Sequence, residues 1–242
     1  MYNKKIILAT SSQTIDSSIF NLVSNCISGE NIHLTLCVFK ELSHRNTTVT
    51  NLNRLTDLCN EKAIILRLRI LKSNEARKLQ KLSLFADLLI IHQSLIQKAD
   101  FTADFGIHSC PVMVLPNMYE SINHVLLTLD GSPKSVASIK QFAQLFPNKL
   151  RNTDVTLVFF MDTDFEAGDE MLLIEYLKQF CEKLGVLKIL KPISAQKLKP
   201  LKCDNHTLVL NVSGSLISDY QNCSLLPSLK SKKSVIFLPA DA

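Results

Sequence analysis

Apolar residues in this chain come in short runs divided by polar segments, and the runs alternate between strand-like and helical periods. Lys5-Ile6-Ile7-Leu8-Ala9 reads as a strand, and Thr10-Ser11-Ser12 as a turn able to cap a helix from near Thr14. Ile15, Ile19, Leu22, Val23 and Cys26 mark one face of that helix. Ile32 to Phe39 is almost continuously apolar and β-prone, which is how a strand covered on both faces reads. A polar loop from Glu41 to Thr48 then leads into a helix with the stripe Leu52, Leu55, Leu58 and Cys59. Ala63 to Ile70 follows as a third strand, with Arg67 and Arg69 on one side and Leu66, Leu68 and Ile70 on the other, the pattern of an edge strand protected by charge. Ser73-Asn74-Glu75 starts a helix through Leu79, Leu82 and Phe85, and Asp87 to His92 is a fourth strand. After a polar excursion from Gln93 to Ser109, Pro111 to Leu115 forms a fifth, closed by Pro116.

Pro116 to Asn123 reads as a linker, after which the same order of elements begins again. Val125 to Leu129 repeats the first strand, and Asp130-Gly131 is a tight turn. Ser132 is an N-cap with Pro133 at the first helical position, and the helix runs from Lys134 to Phe146. Asp154 to Phe160, Gly185 to Leu190, Thr207 to Asn211 and Ser234 to Pro239 supply the later strands, with Met171 to Leu184 as the second helix and Ser194 to Leu201 as at most a short third. A period of about 120 residues is far longer than a solenoid repeat, so the pattern is that of a duplicated domain, 1–118 and 121–242. Strand, turn and helix in alternation predict an α/β fold built from Rossmann-like halves. An acid at the end of a first parallel strand, as Asp130 is, lies where such sheets place ligands.

Composition narrows the classes. At 242 residues, 46% hydrophobic and 20% charged, the chain can bury two cores, and few Gly or Pro argue against a long disordered tract. A net charge of +5 is too small to argue for nucleic acid, and the lysine clusters Lys188 to Lys202 and Lys230 to Lys233 lack interleaved aromatics, so they read as solvated surface. The seven cysteines are scattered without a C-x-x-C pair, several inside apolar runs, which suits buried thiols in a reducing compartment. No run reaches membrane-spanning length, and Lys4-Lys5 with its short apolar segment is no signal peptide; the expectation is a cytoplasmic protein.

Two such five-stranded units, with Leu129-Asp130-Gly131-Ser132-Pro133 after one strand, resemble the universal stress protein family in its tandem form. Phe85-Ala86-Asp87-Leu88-Leu89-Ile90-Ile91 is similar to the family's fourth strand, and Ser109-Cys110-Pro111-Val112-Met113-Val114 to its fifth. The resemblance implies two Rossmann-like domains of the adenine nucleotide alpha hydrolase-like type, each a parallel sheet of order 3-2-1-4-5 with helices on both faces. It also implies that the two halves pair as an intramolecular pseudo-dimer through their fifth strands, with a homodimer as a further form of association. ATP-binding members set an acid against the adenine and carry Gly-x₂-Gly-x₉-Gly-Ser/Thr after the fourth strand, because phosphate oxygens must approach bare main-chain N–H groups. Here Asp130 matches the acid, but the glycine positions fall on Asn211, Gly214 and Ser224, with Leu225 in place of the hydroxyl. In the first half the acid's place falls on Thr10 or its neighbours and the glycines' on His92, Leu95 and Phe105.

The motif is therefore degenerate. Asp130, Gly131, Asn211, Gly214 and Ser215 are the candidate binding residues; Asp130 reads equally as an adenine contact or as the acceptor of an Asp-Gly turn, and Val212-Ser213-Gly214-Ser215 as an anion nest or a helix cap. Asp162, Asp164, Glu166, Asp169 and Glu170 lack calcium-loop spacing and read as a solvated loop with acids at a helix start. The six histidines show no metal-ligand spacing, and no nucleophile elbow is present, so catalytic chemistry has no visible carrier. The expected role is binding or regulation in a stress response, with no resident cofactor and a protein partner that the sequence does not name; the alternative is ATP held in the second domain.

Overall fold

A computed structural model describes residues 3–11, 15, 17–27, 31–40, 46–72, 74–96, 109–117, 119–129, 132–161, 167–190, 207–210 and 235–238, some of them, such as 207–210, as backbone alone. The chain divides into two compact units, Met1–Ser121 with Ala240–Ala242, and Ile122–Pro239.

In the first unit the elements are β1 (Lys4–Ser11), α1 (Ser17–Asn25), β2 (Ile32–Lys40), α2 (Asn46–Glu61), β3 (Ile65–Lys72), α3 (Ala76–Ser83), β4 (Leu88–His92), α4 (Gln93–Ile96) and β5 (Val112–Leu115). All strand pairs are parallel, in the order β3-β2-β1-β4-β5. Successive residues of a strand point to opposite faces, yet Ile6 to Ser11 and Leu88 to His92 are buried without interruption, so both faces of the sheet centre are covered. α1 packs on α2, where Arg54 stands 4.8 Å over the Phe20 ring, and Asn51 donates to the Ile15 carbonyl at 2.7 Å. At the sheet's lower rim Lys5 N–H donates to the Asp87 carboxylate at 2.7 Å while Asp87 N–H donates to the Lys5 carbonyl at 2.8 Å, which locks β1 to the start of β4.

Several boundaries differ from the sequence pattern, each for a local reason. The third strand begins at Ile65, because Ala63 takes a positive φ of 54° and closes α2: Ala63 N–H reaches the Asn60 carbonyl and Ile64 N–H the Cys59 carbonyl. α3 stops at Ser83, leaving Phe85 76% exposed instead of on a buried stripe. The stretch read as a linker is docked on α1. Ser18 Oγ donates to the Asn117 carbonyl and accepts from Tyr119 N–H, Asn21 and Asn25 donate to the Tyr119 and Glu120 carbonyls, and the Tyr119 side chain is buried. Ser18, Asn21 and Asn25 lie three to four residues apart, hence on one helix face, and satisfy a backbone that runs with no strand or helix of its own.

The second unit carries β6 (His124–Leu129), α5 (Pro133–Leu145), α6 (Pro147–Arg151), β7 (Asp154–Met161), α7 (Ala167–Lys178), β8 (Leu184–Leu190), β9 (Thr207–Leu210) and β10 (Val235–Leu238). β8, β7 and β6 pair in parallel, and β9 and β10 continue the parallel ladder beyond β6. α5 begins as the residues dictate: Ser132 is extended at ψ 149°, its side chain accepts from Ser135 N–H, and Pro133 opens the first turn. Phe142 packs 5.1 Å from Phe146 and 5.0 Å from Phe237 between ring centres, fastening α5 to β10. α7 ends at Lys178, short of the sequence expectation, and Leu184 belongs to β8.

Candidate functional site

Open parallel sheets bind ligands beyond the carboxyl ends of the strands where the order reverses, which in the first unit is the crevice between β1 and β4. At its described border stand Thr10 and Ser11 at the end of β1, and His92, Gln93, Leu95 and Ile96 from β4 into α4, all of them buried. Thr10, His92 and Leu95 are the positions where the acid and two glycines would stand, and Phe105 lies outside the described residues. The His92 ring is held by its neighbour, with Nδ1 2.9 Å from Ser94 Oγ and 3.4 Å from Ser94 N. A backbone N–H can only donate, so Nδ1 acts as the acceptor and the ring proton belongs on Nε2.

In the second unit the corresponding crevice lies beyond β6 and β9. Asp130, Gly131, Asn211, Gly214 and Ser215 all lie outside the described residues, as do Asp162, Asp164, Glu166, Ser224 and Leu225. The described border of that place is the start of α5 and the end of β7. Ser132 Oγ accepts from Ser135 N at 3.1 Å and Ser135 Oγ donates to the Ser132 carbonyl at 2.8 Å, so this helix start satisfies one of its own donors. Phe159, in register with Leu129, is buried in the sheet.

Glu170 stands in the first turn of its helix, as the helix-start reading has it, but it is not solvated. It is buried in α7 with its carboxylate 2.7 Å from Lys188 Nζ on β8, an ion pair that the spacing of acids and lysines in sequence does not reveal. Lys188 is thus engaged rather than simply solvated.

Cysteine chemistry is quiet. Cys26, Cys37, Cys59, Cys110 and Cys181 are buried thiols outside any disulfide. Burial pushes Cys37 and Cys110 up to about 12 and Cys59 and Cys181 up to about 11, with Arg69 opposing the rise at Cys37 and Asp87 adding to it at Cys110. These four thiols stay protonated near neutral pH, and a thiol is a poor nucleophile. Among the described residues no three His, Cys, Asp or Glu side chains gather as a metal site. Among them, too, no helix is long and apolar enough to cross a membrane.

The fold is that of the universal stress proteins. The chain superposes over 100% of its length on 100% of a universal stress protein from Archaeoglobus fulgidus DSM 4304, with a TM-score of 0.61 and 10% identity. A putative universal stress protein from Pseudomonas aeruginosa UCBPP-PA14 is matched over 98% of this chain and 93% of its own, with TM-score 0.56 and 13% identity. The cytoplasmic domain of a prokaryotic cation chloride cotransporter is matched over 99% and 96%, with TM-score 0.57 and 9% identity. No protein-family model matches the sequence, and no curated protein does.

Proposed function

We propose that this chain is a tandem universal-stress-type protein of the cytoplasm, with domains at 1–118 and 121–242, that acts by binding and regulation and not by catalysis. The observation that carries the reading is the border of the first unit's crevice, where buried Thr10, His92 and Leu95 stand in place of an acid and two glycines. The likeness in fold extends over the full length of a universal stress protein, and four buried neutral thiols fit a reducing compartment. Fold likeness to the cytoplasmic domain of a cotransporter supports a role exerted through contact with a larger partner.

The second reading is ATP bound in the second domain by Asp130, Gly131, Asn211, Gly214 and Ser215. Asp130 and Gly214 favour it. Against it, Asn211 and Ser224 add side chains where phosphates need bare backbone, and Leu225 removes a hydroxyl hydrogen bond of about 0.5–1.5 kcal/mol. Losing several such contacts at about 1.4 kcal/mol per tenfold moves a micromolar site towards millimolar. Calorimetric titration of ATP into the full chain decides between the readings: weak or no heat supports the first, and micromolar affinity abolished by Asp130→Ala establishes the second.

A further inference from the structure

We propose that the open edge of β3 receives an extended strand from a partner polypeptide in which acidic and apolar residues alternate. Among the described residues β3 is the outermost strand of the first sheet and pairs with β2 alone, so one full row of its backbone N–H and C=O groups faces outward. Such an edge is a template for an added strand.

The side chains set the chemistry of that strand. Register pairs place Leu66, Leu68 and Ile70 on the same face as Leu34, Leu36 and Val38, which are buried. Leu68 is nevertheless 45% and Ile70 61% exposed, so the apolar layer of the sheet ends abruptly in water. Arg67 and Arg69 share the opposite face with Thr35 and Cys37, and neither forms an ion pair with a described residue. A strand with apolar residues on the first face and carboxylates on the second would continue the layer and neutralise both guanidiniums. A second copy of β3 does not fit: antiparallel pairing about Leu68 sets Arg67 opposite Arg69, and like charges opposed across strands repel. The outer strand of the second unit lacks these features, since Lys188 is already held by Glu170 and Gly185 interrupts its apolar row.

The test uses the full chain and a fluorescent octapeptide of alternating glutamate and valine, followed by anisotropy. Binding is expected, with affinity reduced about tenfold or more in the Arg67→Glu/Arg69→Glu variant, which in turn binds the lysine-valine octapeptide better than the unaltered protein does. N-methylation of alternate peptide amides, tried in both registers, is expected to abolish binding in the register that blocks the pairing edge; this arm needs no variant of the protein. No binding up to millimolar peptide, or binding indifferent to charge reversal or to N-methylation in both registers, overturns the proposal and leaves β3 as a charge-protected edge.

Discussion

The phenol oxygen of Tyr119 lies 2.9 Å from the thiol of Cys26, inside the first unit and 93 residues apart in sequence. The contact anchors the segment after β5 against the end of α1, and the Tyr119 ring is 1% exposed. Tyr119→Phe keeps the ring and removes one hydrogen bond, so urea unfolding should show a loss of about 1 kcal/mol. Tyr119→Ala empties the anchor site and should cost about 3–5 kcal/mol, as other buried aromatic truncations do.

Alkaline pH should weaken the fold. The thiols of Cys37 and Cys110 are raised from 9.0 to about 12, and those of Cys59 and Cys181 to about 11. The folded state therefore keeps these protons while the unfolded chain releases them. Their contribution is complete below pH 9 and is lost as pH rises towards 11–12. Burial raises the Tyr119 phenol as well, so its ionisation opposes folding over the upper part of the same range. Urea midpoints should hold level up to about pH 8 and fall above pH 9. Cys37→Val should blunt the fall.

Ser132→Ala removes the acceptor of the Ser135 N–H at the start of α5 and should cost about 1 kcal/mol. Ser132→Gly should cost only a few tenths of that. Thermal melts of the two variants separate capping from mere surface change.

Removing one partner of the Glu170–Lys188 pair is predicted to be worse than removing both. Glu170 is 9% exposed at its side chain and Lys188 52%, so Lys188→Met strands a nearly buried carboxylate at a cost of about 1–2 kcal/mol, discounted for the exposed lysine. Glu170→Leu with Lys188→Met should recover most of it, as a double-mutant cycle by denaturant unfolding would show.

The strands were legible because Leu36 to Phe39, Leu88 to Ile91 and Val125 to Leu129 are buried on both faces and so read as almost continuous apolar runs. What misled were places where composition is silent about conformation. Ala63 takes a left-handed cap with no glycine to announce it. The helix over Ala167–Lys178 ends at Gln179-Phe180, without Gly or Pro, while Leu177, Cys181 and Leu184 keep an apparently helical spacing. Tyr119 was hidden by the polar residues around it, although Ser18, Asn21 and Asn25 form a polar row along one face of α1. The crevice border was legible only in part: the missing acid and glycines showed in sequence, but the burial of His92 and Thr10 goes with α4 following β4 without a gap.

The bond between Lys5 and Asp87 closes a loop of 82 residues, and β1 cannot be flanked on its second side until β4 exists. A ribosome adding about 5–20 residues per second makes the chain from one partner to the other in roughly 4–16 s. Through that interval Ile6-Ile7-Leu8-Ala9 has one unpaired flank, the condition in which unfinished β structure associates with the wrong neighbour. A strand completed early thus waits for a neighbour made much later, and shelter for β1 during that wait favours the native pairing over a foreign one.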